Sequence, residues 1–292
     1  LLTLASPLWA QDAPIDRARA WLAQTQNDNG GWPDGFSGER SGAGVTAEIL
    51  LGLTTLEATP QTLRANPLAY LENFANNNAQ TLTLGLATRF LWVALALRQD
   101  VRDFGGVNLP LFLSARQAED GRYSPNMLEH CHAVNALAAA GFISPMDEAV
   151  RLIVSAQSPS GGWSAFEGQA PDTHSTTACL VALAVSGVRA DSAAIKNGLD
   201  YLRQTQNPDG GWSFQSPNLY GLGSDAYSTA WALMALNALG QDPADWGDPA
   251  RVLLTFQDEE GAFRLYPEQA DASRFFVVGA ALSALRGGWF GG

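Results

Sequence analysis

Two kinds of segment alternate along the chain. The first mixes apolar with polar residues, as in residues 195–206 (IKNGLDYLRQTQ). The second is almost wholly apolar and rich in alanine, as in residues 225–239 (DAYSTAWALMALNAL). Both read as helices. A helix with little charge is buried on most sides, whereas a mixed helix keeps one side in water. The pattern therefore predicts helix pairs, with the second helices forming an inner wall and the first an outer wall. Asp172, Asp225 and Asp271 each precede a second helix and are expected to cap its first turn.

The break between the two helices of a pair recurs almost unchanged. Residues 26–32 read QNDNGGW, residues 157–163 QSPSGGW and residues 206–212 QNPDGGW. Weaker copies lie at 117–123 (QAEDGRY) and 257–263 (QDEEGAF). The glutamines are 40, 49 and 51 residues apart, with one gap of 91 that is about two periods. A degenerate repeat is expected inside that gap, at residues 70–97, so six repeats result. Glycine, free to take positive φ, ends each first helix. The aromatic that follows is expected to fold back against the glutamine side chain.

Composition narrows the class. Of the 292 residues, 46% are hydrophobic and 16% charged, which favours a chain with much buried surface. The net charge is −12 and Lys196 is the sole lysine. Such a surface repels phosphate backbones and anionic lipid, so nucleic-acid binding is not expected. Residues 1–10 (LLTLASPLWA) look like the remnant of a secretory signal, with a breaking Pro7 and a small Ala10 at the cut. A frayed apolar end is the alternative. Residues 14–287 are expected to form one domain, and 288–292 a tail or linker. Elsewhere no run of about 18 apolar residues could span a membrane. Cys131 and Cys179 both lie in apolar helical runs; buried free thiols are expected, with pairing left open.

The Gln…Gly-Gly-Trp turns, followed by helices opening on Asp-x-x-Ser-Thr-Ala, resemble the terpenoid cyclase and protein prenyltransferase superfamily over about residues 16–286. Residues 103–107 (DFGGV) and 172–183 are also similar to exported bacterial prenyltransferase/squalene oxidase repeat proteins, which in turn resemble cobalamin-carrier toroids. The resemblance implies an all-α fold, an α6/α6 toroid: a double ring of six helix pairs around a central cavity.

The chemistry implied by the resemblance can be tested position by position. Squalene-hopene-type cyclases place Asp-x-Asp-Asp-Thr-Ala at an inner helix start, the middle aspartate protonating the substrate. Here residues 225–230 read DAYSTA, so Tyr227 and Ser228 replace the acidic pair, and a phenol near pKa 10 cannot protonate an alkene. Asp172-Thr173-His174-Ser175 departs in the same way. Oxidosqualene cyclases use Asp-Cys-Thr-Ala-Glu; Gly44-Val45-Thr46-Ala47-Glu48 keeps only the last three. Prenyltransferase β subunits bind zinc through Asp-x-Cys and a histidine. Glu129-His130-Cys131 with His174 imitates that set imperfectly, and all three histidines, His132 included, fall in two adjacent repeats. Aromatics near the inner helix starts (Phe90, Trp92, Tyr227, Trp231, Phe275 and Phe276) serve packing between helices or, as the resemblance implies, the stabilisation of cations.

The expectation is an exported toroid, secreted or at the cell surface or in the periplasm, without catalysis, metal or cofactor, binding a small molecule or protein partner through its central cavity or rim. No α-subunit-type partner is expected. The candidate ligand-binding residues at the rim are Thr46, Glu48, Glu129, His130, His132, Asp172, His174, Asp225, Tyr227, Trp231 and Phe275. The alternative is a squalene cyclase- or prenyltransferase-like enzyme, with a polysaccharide-acting toroid as a second alternative, suggested by Gly30-Gly31-Trp32-Pro33.

Overall fold

The computed structural model describes residues 12–35, 38–57, 59–143, 147–216, 223–268 and 273–290. The expected signal remnant at 1–10 and Asp271 lie outside the described residues. Among the described residues twelve α-helices follow one another: α1 (Asp12–Thr25), α2 (Ala43–Thr54), α3 (Thr62–Asn77), α4 (Leu84–Ala96), α5 (Leu109–Ser114), α6 (Met127–Ala139), α7 (Glu148–Ser155), α8 (Thr173–Val185), α9 (Ala193–Thr205), α10 (Ala226–Ala238), α11 (Pro249–Leu254) and α12 (Arg274–Leu285). A 3₁₀ turn, Pro243–Trp246, precedes α11. Among the described residues there is no strand, only three isolated bridges within turns.

The even-numbered helices are the apolar ones, and each packs on the next: α2 on α4, α4 on α6, α6 on α8, α8 on α10, α10 on α12, and α12 back on α2. This closed inner ring, with the odd-numbered helices outside it, is the toroid expected from the repeats. Closure depends on small residues. A Cβ on Gly52 of α2 would lie 2.5 Å from the Gly279 carbonyl of α12, and one on Gly279 would lie 2.4 Å from the Glu48 carbonyl. Only glycine lets the two backbones approach so closely.

Each repeat turn is built the same way. Trp212 is fully buried; its indole N–H donates to the Leu202 carbonyl (2.8 Å) and its backbone N–H to the Thr229 hydroxyl (3.1 Å). Trp163 and Trp32 repeat this with Ile153 and Thr176, and with Leu22 and Thr46. The tryptophan thus folds onto its own outer helix and the following inner one, and its indole bonds no glutamine. The glutamine amide has separate work. Gln206 donates to the Gly210 carbonyl and to Trp246 of the next repeat, and Gln257 donates to Gly261 and to Pro14, joining the last repeat to the first. Gly161 takes φ +90°, and a Cβ there would meet the Asn197 carbonyl at 2.3 Å, so the turn seats directly on α9.

Cys131 and Cys179 correct the expectation of free thiols: they form a disulfide between α6 and α8, Cα atoms 4.9 Å apart. Both thiols sit on the contact face of adjacent inner helices, a proximity that helix periodicity alone does not reveal. The stretch after α12, expected as tail or linker, turns back into the ring as far as Phe290, which is 2% exposed.

Candidate ligand site at the ring centre

Side chains from non-adjacent inner helices meet across the ring. Glu48, in the second turn of α2, is buried, and its carboxylate accepts from Arg89 of α4 at 2.7 Å. The Tyr227 hydroxyl of α10 donates to the other Glu48 oxygen at 3.2 Å, spanning from α10 to α2. Burial pushes Tyr227 well above the ordinary phenol range, and the Glu48 carboxylate adds to it. For Arg89 burial is the largest influence and works the other way, but Glu48, Tyr227 and Glu129 together outweigh it and hold the guanidinium charged. The position that the resemblance gives to a proton donor is therefore a neutral phenol, tied to an ion-paired carboxylate.

Beside this pair lies a cluster of rings. Tyr227 stacks on Phe276 (3.9 Å between centroids) and meets His174 edge-on (5.2 Å). His132 of α6 stacks on Trp231 of α10 (5.1 Å) and meets Trp92 of α4 edge-on (5.2 Å). Phe290 lies against both Trp92 (5.8 Å) and Trp231 (5.4 Å). Burial drives the His132 pKa down to about 3, with Arg89 and His174 adding to the shift, and burial brings His174 to about 4. Both imidazoles are neutral at pH 7. Among the described residues the His132 Nε2 has no hydrogen-bond partner, where a helix carbonyl would have been the usual one.

His174 Nε2 lies 3.0 Å from the Ser228 hydroxyl, which donates to Asp225 Oδ2 at 2.7 Å. With that hydrogen spent on the carboxylate, His174 is the donor to Ser228. The chain His174–Ser228–Asp225 therefore leaves Ser228 without a general base and is no nucleophilic triad. Asp225 is the N-cap of α10, its Oδ1 accepting the Ser228 N–H at 2.7 Å, and Asp172 caps α8 through Ser175 identically. Burial raises both carboxyls, with the cap bonds opposing it.

Of the rim candidates, Glu48, His132, His174, Tyr227 and Trp231 converge, while Asp172 and Asp225 serve as caps. The others correct the sequence reading. Thr46 binds the Trp32 backbone, as its counterparts do in other repeats. Glu129 is exposed and accepts from Ser124, so it stays outside the buried cluster, although its charge acts on Arg89. His130 points outward: its Nδ1 accepts from the Tyr123 N–H and its Nε2 lies 3.0 Å from the Ala149 carbonyl, which fixes it as a neutral structural histidine. Phe275 packs on Trp21 of outer α1, and its neighbour Phe276 enters the ring instead. Because His130 faces α7 and Cys131 is spent in the disulfide, the prenyltransferase-like zinc set is not assembled. Among the described residues no cluster of three or more His, Cys, Asp or Glu is placed to hold a metal. Arg89, Asn135 and Phe290 were missed. For Arg89 there was a signal: a lone guanidinium in an otherwise apolar inner helix needs a buried partner.

Residues 130–265, a little under half of the chain, match the family model described as the squalene-hopene cyclase C-terminal domain. The squalene–hopene cyclase of Bradyrhizobium diazoefficiens is 34% identical over 131 residues, 42% of this chain and 19% of that protein. Drimenyl diphosphate synthase of Streptomyces showdoensis is 33% identical over 135 residues, 43% of this chain and 24% of that protein. The alignments thus span about a fifth of the length of the curated relatives. Among solved structures, a type II terpene cyclase from Scytonema superposes with TM-score 0.69 at 16% identity, covering 94% of this chain and 97% of its own. Protein geranylgeranyltransferase-I of Candida albicans gives 0.62 at 15% identity, covering 93% and 90%.

Proposed function

The chain has the α/α-toroid fold of the terpenoid cyclase and protein prenyltransferase superfamily, and from that premise we propose that it binds an isoprenoid-type ligand at the ring centre without cyclising it. The supporting observation is the character of that centre. Trp92, Trp231, Tyr227 and Phe276 converge from three inner helices beside one ion pair, Glu48–Arg89. Aromatic faces suit a branched hydrocarbon and its polarisable double bonds. Protonating a carbon–carbon double bond needs a carboxylic acid kept neutral and backed by donors. Here the donor position is Tyr227, and Glu48 is held in an ion pair by Arg89. The curated relatives that match are cyclases and synthases by name, and this favours cyclisation as the second reading. The disulfide between α6 and α8 favours a location outside the reducing cytoplasm, and no described helix is long and apolar enough to cross a membrane.

The test is purified protein incubated with squalene, oxidosqualene and geranylgeraniol. Binding is read by tryptophan fluorescence and products by gas chromatography. Quenching without cyclic product is expected. Cyclic product that disappears in Glu48→Gln would replace this reading with the cyclase one and identify the acid. No quenching with any of the three would end the isoprenoid reading.

A further inference from the structure

After α12 the chain turns through a glycine pair. Gly287 takes φ +73°, its N–H donates to Ala284, and the Gly288 N–H reaches back five residues to Ser283. This is a Schellman ending, which reverses the chain direction in two residues. The reversal sends residues 288–290 in among the inner helices. Asn237 of α10 holds the Gly288 carbonyl loosely (3.4 Å), and Asn135 of α6 donates to the Phe290 carbonyl at 2.9 Å. The Phe290 ring then lies between Trp92 and Trp231.

The surroundings of that phenyl ring are more polar than it can use. Trp92 Nε1, His132 Nε2 and Asn135 Oδ1 are buried with no hydrogen-bond partner among the described residues. Buried polar atoms are ordinarily paired, because leaving one unpaired costs free energy. Phe290 satisfies none of them, since a phenyl ring neither donates nor accepts a conventional hydrogen bond. Three such atoms around one ring describe a site for a molecule that is mostly apolar and carries one small polar group.

We propose that Phe290 holds the place of the ligand, and that residues 288–290 leave the ring for an isoprenoid alcohol to enter. This rests on the isoprenoid reading above for the class of ligand, while the displacement rests on the segment's own geometry. Four rings from four parts of the chain, Trp92, His132, Trp231 and Phe290, close on one another, and only Phe290 is carried by a segment outside the twelve helices. The alcohol would take the Phe290 position between the two indoles, with its hydroxyl available to Trp92 Nε1 and His132 Nε2. A binding-competent state populated only when the segment is out weakens apparent affinity by its fractional population.

The experiment titrates geranylgeraniol, with squalene as the hydrocarbon lacking the hydroxyl, into the parent, Asn135→Ala and Phe290→Ala. Tryptophan fluorescence reports binding, and hydrogen exchange follows residues 288–290. Asn135→Ala removes the clamp and leaves every ring in place, so it tests release without making a large cavity. Geranylgeraniol should bind Asn135→Ala and Phe290→Ala about tenfold more tightly than the parent, squalene should bind more weakly, and geranylgeraniol should speed exchange at 288–290 in the parent. If the alcohol binds all three proteins equally and exchange at 288–290 does not rise, the displacement is wrong and the isoprenoid reading stands. Squalene binding as tightly as the alcohol would remove the role assigned to the hydroxyl. If neither probe binds any variant, the isoprenoid reading fails, and exchange alone decides the displacement. Residues 288–290 exchanging at least about a hundredfold faster than α12 would keep it, and exchange together with α12 would overturn it.

Discussion

Trp212 makes its polar bonds within its own repeat and buries its ring completely, so truncation should be costly. Trp212→Ala is expected to destabilise by about 3–5 kcal/mol, as other large aromatic truncations do, and urea unfolding would show it; an unchanged midpoint would refute this account of the turn. His132 and His174 give a pH signature. Their pKa values, lowered to about 3 and about 4 from 6.5, mean that the unfolded chain takes up protons first as pH falls. Their contribution is complete above about pH 6.5 and is lost progressively between there and about pH 3, on the order of several kcal/mol for the pair. Asp172 and Asp225, raised by burial, act in the opposite sense, so the comparison must be between variant and parent. His132→Phe keeps the stacking and removes one titrating group. Its stability should fall less steeply than the parent's from pH 6.5 to 4 in denaturant melts; parallel slopes would count against a buried neutral His132. At this scale the sequence was informative where partners are local. The caps Asp172 and Asp225 each bind a residue three positions on. Asn135 was illegible because it binds Phe290, 155 residues away.

Among the elements, the contact between α2 and α12 is the most constrained. Gly279→Val should drive a side chain into the Glu48 carbonyl and separate the two helices, at a cost of about 3 kcal/mol or more, since neither backbone can give way easily. Calorimetry of Gly279→Val beside Gly44→Val, a helical glycine whose Cβ would meet only the Leu86 side chain at 3.6 Å, separates packing from other effects of losing a glycine. Reducing the α6–α8 disulfide, which closes a loop over a separation of 48 residues, should remove about 4 kcal/mol on the chain-entropy account. A thermal midpoint indifferent to reductant would contradict it. The helix pairs themselves were readable because each turn repeats its glutamine, glycine and aromatic. The short outer helices α5 and α11, six residues each, precede the two weaker copies of the turn, at 117–123 and 257–263. Which inner face looks into the ring was not readable, because α8 and α10 are buried on nearly every side and periodicity singles out no direction. Hence the sequence does not distinguish Phe275, which packs on Trp21, from Phe276, which enters the ring.

For the whole molecule, far-UV circular dichroism should report helix with almost no sheet. Cutting the chain between Ile143 and Asp147 should unfold both halves once the disulfide that bridges the cut is reduced, because each half would keep inner helices with no neighbour on one side. A half that still melts cooperatively would show that the ring is divisible. Closure also has a bearing on synthesis. The helix that completes the neighbourhood of α2 is α12, made after the other eleven, so the glycine face of the first repeat waits exposed until α12 has been synthesised. Contacts this distant in sequence form slowly, and a nascent chain with an unmatched apolar face is at risk of aggregation. Gln257 bonding Pro14 is part of the same late event. Each newly made copy of this protein therefore passes through a period in which a chaperone, or a second unfinished chain, can occupy the surface that α12 will later claim.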